Sequence, residues 1–205
     1  MVQICYNGIM IEIGSDEFLG LDPRDQLLEL IRQIAVVHGS VTLASGKEAE
    51  YYVDLRRVTL HHLGAPLVGH QLLDMLEERG FVPAQEWTAI GGLTLGADPI
   101  ADAVLHAANS RAIEVDAFVV RKNVKDHGMQ RQIEGPDIAN KNVIIVEDTT
   151  TTGGSPITAI EAVRAAGANP IACATIVDRS TGAAAKIEAL GVPYFSLFTL
   201  DDLDL

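Results

Sequence analysis

Residues 143–167 read VIIVEDTTTTGGSPITAIEAVRAAG, and the fold turns on this stretch. Val143–Val146 is a short unbroken apolar run, the pattern of a parallel strand covered on both faces. Glu147 and Asp148 follow where such a strand emerges at the carboxyl edge of its sheet. Threonines, glycines and Ser155 then lead into a helix, with Ser155 expected as N-cap and Pro156 as its first residue. Ile157, Ile160 and Val163 mark the helix's apolar face, and Gly167 stops it. A small-residue loop opening onto a helix N-terminus presents free N–H groups and the positive end of the dipole. That combination suits an anion, above all phosphate.

The acidic pair narrows the ligand. Two carboxylates beside a phosphate cradle repel it unless they serve groups lying between phosphates. Ribose hydroxyls and a divalent cation fit, because carboxylates accept from hydroxyls and ligate Mg²⁺. No Lys follows the glycines, and no G-x-G-x-x-G is present, so the commoner nucleotide loops are excluded. Each half alone is ordinary, acids ending a strand and glycines opening a helix. The whole string is specific.

VIIVEDTTTTGGS resembles the phosphoribosyl-pyrophosphate (PRPP) signature of type I phosphoribosyltransferases. The flanking segments narrow the resemblance to orotate phosphoribosyltransferases, over roughly residues 23–200. It implies an α/β fold: a parallel sheet flanked by helices, with a small N-terminal hood. Residues 21–205 would be one domain, with 1–20 an extension outside the resemblance.

Composition agrees with that class. A chain of 205 residues, 48% hydrophobic, can bury a full core as one domain. Its net charge of −13 argues against non-specific nucleic-acid binding, which needs a basic footprint. Cys5 and Cys173 have neither C-x-x-C nor metal-ligand spacing, so reduced thiols in a cytoplasmic protein are expected. There is no apolar run of transmembrane length, and the N-terminus lacks the basic region and apolar core of a signal peptide.

The remaining segments alternate. Residues 23–38 read as an amphipathic helix ending at Gly39, and 41–56 as two strands joined at Ser45-Gly46. Helices are expected at 64–79, 97–108 and 181–190, and strands at 87–90, 116–120, 170–177 and 193–198. A second small-residue loop, Gly91–Gly96, precedes the helix at 97. Arg121–Gly128 gathers cations in an acidic chain, and the polar stretch to Gly135 suits a lid. Adjacent His61 and His62 point to different faces and read as solvated or capping rather than metal-binding. The acidic tail DDLDL reads as solvated.

The resemblance implies roles for these segments. Glu147, Asp148, Thr149, Thr150, Thr151, Thr152, Gly153, Gly154 and Ser155 would bind PRPP, the acids at ribose and Thr151–Ser155 at the 5′-phosphate. Thr94, Leu95 and Gly96 would hold pyrophosphate through backbone N–H groups. Arg121, Lys122, Lys125 and His127 would close over it from a loop spanning about 121–135. Lys125, His127 and Asp148 are the expected catalytic residues. Arg179, Thr151, Tyr52, Val53 and Lys47 would contact orotate, the Arg by pairing with its carboxylate. Mg²⁺ is the implied cofactor, carried on PRPP, with Asp148 the protein group placed to reach it. A homodimer exchanging the loop between subunits is implied as well. Many relatives have Lys where this chain has Ala44 and Leu95. Two alternatives stay open: transfer to another base, against which Arg179 and the Tyr52 hood argue, and a PRPP-sensing regulator that binds nucleic acid, against which the missing basic face argues.

Overall fold

The computed structural model describes residues 4–6, 9–42, 48–122 and 132–205. Two short strands, β1 (Ile4–Tyr6) and β2 (Ile9–Ile11), pair antiparallel at the start. A one-turn helix α1 (Asp16–Leu19) follows, capped by Ser15. Asp22 then accepts from the N–H groups of Arg24 and Asp25 and opens α2 (Pro23–Leu30), with Pro23 in the first turn. The expected helix to residue 38 is cut short. It widens into a π turn at Ile31–Ala35, and Val36 already begins β3 (Val36–Thr42). β3 pairs antiparallel with β4 (Glu48–Val53), the expected two-stranded hood, displaced toward the N-terminus by tertiary pairing.

The chain continues through α3 (Arg56–Thr59) and α4 (Gly64–Glu78), then β5 (Ala89–Leu93), α5 (Asp98–Ser110) and β6 (Asp116–Val120). After these come β7 (Ile133–Glu134), β8 (Asn142–Thr150), α6 (Gly154–Ala165), β9 (Asn169–Asp178), α7 (Ala183–Glu188) and β10 (Tyr194–Thr199). Among the described residues the central sheet has six strands in the order β10-β9-β8-β5-β6-β7. All pair parallel except β7, which returns antiparallel on β6, so the sheet is mixed rather than purely parallel.

Strand alternation divides the core. Ile144 and Val146 join the cluster containing Leu30, Leu72 and Val104; Val143 and Ile145 join the opposite cluster with Ile160 and Ile187. A strand buried on both faces requires the continuous apolar run seen in the sequence. The sheet grows outward in opposite directions from the adjacent pair β5 and β8. Their following loops therefore diverge and leave a crevice at the carboxyl ends.

The acidic tail is solvated only in part. Asp201 and Asp204 are exposed, Asp204 pairing with Arg32 at 2.8 Å, while Leu203 is buried and Asp202 accepts from the Thr199 N–H at 2.7 Å. Among the described residues, no helix is long and apolar enough to cross a membrane.

Candidate active site

The crevice contains a cavity of about 340 Å³ between the hood, the loop after β5 and the carboxyl end of β8. Glu147 and Asp148 form one wall. They do not follow the strand, as expected, but lie inside it, because pairing with β9 continues to Thr150. Thr175 Oγ1 on β9 donates to the Glu147 carbonyl at 3.1 Å, holding that segment extended.

The two acids differ. Glu147 is only 6% exposed, and burial, then the neighbouring Asp148 charge, push its carboxyl up to about 8. It is therefore largely protonated at neutral pH. The Asp148 N–H donates to Glu147 Oε1 at 3.3 Å, and the Thr149 N–H donates to Asp148 Oδ1 at 2.6 Å. Asp148 is half-buried and faces the cavity, as does Thr149, whose buried hydroxyl has no partner among the described residues.

The facing loop comes very close. A Cβ on Gly96 would lie 2.1 Å from Glu147 Oε1, so only glycine admits this approach. Gly91 and Gly92, expected in the loop, belong to β5, where Cβ atoms would strike the Phe118 and Val146 carbonyls. What remains of the loop is Thr94–Ala97, with Leu95 exposed.

Beyond β8 the chain turns at Gly153, whose φ of 80° puts it in the left-handed region. Gly153, not Ser155, is the N-cap, and no side chain caps α6. The first N–H groups of the helix are thus left to a ligand or solvent. Arg179 follows β9; its backbone N–H donates to the Thr150 carbonyl at 3.0 Å, and its guanidinium lies 5.9 Å from the Tyr51 ring centre.

Comparison with known proteins agrees with this geometry. A family model described as "Phosphoribosyl transferase domain" matches residues 83–192. A curated orotate phosphoribosyltransferase from Streptomyces avermitilis is 58% identical over 185 residues, covering 90% of this chain and 98% of that protein. The chain belongs to the orotate phosphoribosyltransferase family. Another member, from Corynebacterium glutamicum, is 51% identical over 191 residues, 93% of this chain and 99% of the relative. Among solved structures, Mycobacterium tuberculosis orotate phosphoribosyltransferase in complex with Fe(III) dicitrate matches with TM-score 0.79 and 50% identity, covering 89% of this chain and 99% of that one. The same enzyme in complex with PRPP gives TM-score 0.76 and 45% identity, again covering 89% and 99%.

For this phosphoribosyltransferase, most of the expected site residues converge. Tyr52 and Val53 from the hood, Thr94–Gly96, Lys122, Glu147–Thr149, Thr151, Ser155 and Arg179 all line the cavity. Val53 is buried, which leaves mainly its backbone to a ligand. Thr150 does not line it: its side chain is buried against the Tyr194 hydroxyl and Asp178. Thr152, Gly153 and Gly154 stand beside the cavity; the Thr152 carbonyl accepts from Lys186. Arg121 is paired with Glu134 at 3.2 Å instead. Lys47, Lys125 and His127 lie outside the described residues. His61 Nδ1 accepts from the Leu63 N–H at 3.3 Å, just ahead of α4, whose first turn has no side-chain cap. Sequence reasoning missed Asp54 and Arg56, both in the lining. Their signal was the every-second-residue spacing after Tyr52, which places Tyr52 and Asp54 on one face of extended chain.

Proposed function

We propose that the chain transfers the 5-phosphoribosyl group of PRPP to orotate, giving orotidine 5′-phosphate and pyrophosphate. The observation that carries this reading is the meeting, in one cavity, of the acid pair, the small-residue loop before α6 and the Arg179 guanidinium. The high identity to curated orotate phosphoribosyltransferases supports it.

The reaction forms a bond from a ring nitrogen of orotate to the ribose anomeric carbon as the bond to pyrophosphate breaks. Positive charge grows on the ribose and negative charge on the leaving group. Asp148 holds the ribose hydroxyls close to the positive ring, and Glu147, buried and largely protonated, fixes Asp148 from behind. Thr151, Ser155 and the uncapped N-terminus of α6 receive the 5′-phosphate. Arg179 takes the orotate carboxylate in a bidentate pair beside Tyr52. The Leu95 and Gly96 backbone and Lys122 receive the pyrophosphate, whereas the Thr94 N–H, expected to join them, already donates to the Val120 carbonyl at 2.9 Å. On the resemblance alone, Lys125 and His127 join them from the 121–135 loop, which excludes water by closing. The same resemblance makes the protein a homodimer with that loop reaching the neighbouring site, and residues 21–205 its single catalytic domain.

The donors suit Mg²⁺ carried by the substrate. Asp148 offers a hard carboxylate oxygen at the cavity, and among the described residues no group of three or more His, Cys, Asp or Glu forms a cage. Bound there, Mg²⁺ supplies charge neutralisation on the pyrophosphate.

The test is PRPP-dependent loss of orotate absorbance by the purified protein with Mg²⁺. Turnover with orotate and none with purines is expected. Turnover only with another base overturns the substrate, and PRPP binding without any turnover favours a sensor.

A further inference from the structure

The cavity lining holds an arginine that the proposed function leaves unused. Arg56 opens α3 directly below the hood, and among the described residues the cationic side chains lining the cavity are Arg56, Lys122 and Arg179. Arg56 Nε donates to Asp54 Oδ1 at 2.8 Å. Its two Nη groups have no hydrogen-bond partner among the described residues. One edge of a planar fork is thus held by the protein, while the edge suited to a phosphate or carboxylate is unoccupied by protein.

Asp54 is itself fixed. Its backbone N–H donates to the Ala35 carbonyl at 2.9 Å, where the hood joins the π turn, and its carbonyl accepts from the Arg57 N–H at 3.2 Å. The second carboxylate oxygen lies 3.9 Å from Arg57 Nε. Asp54 is the less exposed partner, with its side chain 21% exposed against 47% for Arg56. The aspartate therefore holds the arginine rather than the reverse. The hydrogen bond to Asp54 and that carboxylate's charge push the guanidinium further up from its already high value. Tyr52 of the hood and Asp148 of the acid pair line the same cavity as Arg56.

Charge balance selects the ligand. Pyrophosphate is the most highly charged group the cavity receives. The loop assigned to it contributes backbone N–H groups and a neutral, 69%-exposed Leu95. Among the described residues Lys122 is the one side-chain cation given to that group so far, beside the Mg²⁺, Lys125 and His127 proposed above, and Arg179 serves the base.

We propose that Arg56, held in place by Asp54, binds the pyrophosphate group of PRPP from the hood side. The inference rests on the function proposed above. Asp54 acts through Arg56 and is a positioning residue.

Calorimetric titration of wild type and Arg56→Gln with PRPP, Mg-pyrophosphate, ribose 5-phosphate and orotidine 5′-phosphate tests this. Loss of one charge-assisted contact should weaken PRPP and pyrophosphate about 10- to 100-fold, leaving ribose 5-phosphate and orotidine 5′-phosphate within twofold. Arg56→Lys, which keeps charge but loses the fork, should fall between, and it serves in place of Arg56→Gln if that variant does not fold. Asp54→Ala should raise the PRPP KM several-fold with the orotate KM unchanged, and Asp54→Asn should restore part of the loss. Equal weakening of ribose 5-phosphate would mean a 5′-phosphate contact and overturn the proposal. Weakening of orotidine 5′-phosphate alone, or no change beyond twofold in any ligand, overturns it too. A wild-type protein that binds no PRPP would instead refute the functional reading beneath it.

Discussion

Gly96 offers the sharpest test of the site's geometry. A methyl group there would lie 2.1 Å from Glu147 Oε1 and 3.0 Å from Asp148 Oδ1. Ordinary contact begins at 3.4 Å, so Gly96→Ala requires about 1.3 Å of movement, from 2.1 to 3.4 Å. The end of a glutamate can often swing aside, but Glu147 is 6% exposed and its Oε1 accepts from the Asp148 N–H. The displacement must pass to Asp148 or push the Thr94–Gly96 loop outward. Misplacing reacting groups by about 1 Å costs about 100-fold in rate, whereas local overpacking costs about 1–3 kcal/mol of stability. Gly96→Ala should therefore fold with a modestly lower melting temperature and lose about 100-fold in kcat/KM for PRPP. Initial rates against PRPP at saturating orotate, alongside thermal denaturation, measure both. Gly92→Ala supplies the contrast. Its Cβ would meet the Val146 carbonyl at 2.1 Å, a neighbouring strand's backbone that cannot turn away, so stability should fail first. A folded Gly96→Ala enzyme within twofold of wild type would refute the close approach of loop and acid pair.

Arg179→Ala should weaken orotate by about 2–5 kcal/mol and PRPP far less, measured by equilibrium binding; equal losses would make the arginine structural. Lys125→Ala and Asp148→Asn should each be nearly inactive alone, yet recover about a quarter of wild-type activity after equal mixing and subunit exchange. Half the dimers are then mixed, with one restored site each. A mixture as inactive as its parents would mean that the loop serves its own subunit.

The strongest sequence signals were those where one physical requirement dominates. Val143–Val146 suited a strand buried on both sides, and it is one. Gly80 and Gly167 punctuate helices in the left-handed region, as glycine allows. Boundaries were lost where tertiary pairing overrode local pattern. Val36 to His38 continue the periodicity of α2 but are taken by the hood ladder, with Val36 opposite Val53. Glu147 and Asp148 looked like the end of a strand, yet Thr175 and β9 extend it past them. Gly91 and Gly92 looked like loop because composition does not distinguish a flexible glycine from one crowded by its neighbour's carbonyl. Thr150 was grouped with the other threonines of the loop, although its hydroxyl is taken by Tyr194 and Asp178, residues far away in sequence. Leu203 was hidden among aspartates; its depth in the core shows that the tail is anchored at this one residue.

The bond from the Arg179 N–H to the Thr150 carbonyl has a consequence for how such a protein changes over evolutionary time. It ties the root of Arg179, proposed above to read the base, to the strand that leads into the small-residue loop before α6, and Tyr194 and Asp178 brace the same point. The hood, by contrast, is a separate two-stranded sheet. A lineage exploring new bases would find the barrel of the lock welded to its casing and the wards held on a detachable plate. Drift in acceptor preference should accumulate in β3 and β4 outside Val53, which is buried in the core, and stop at the Asp54–Arg56 pair just beyond them.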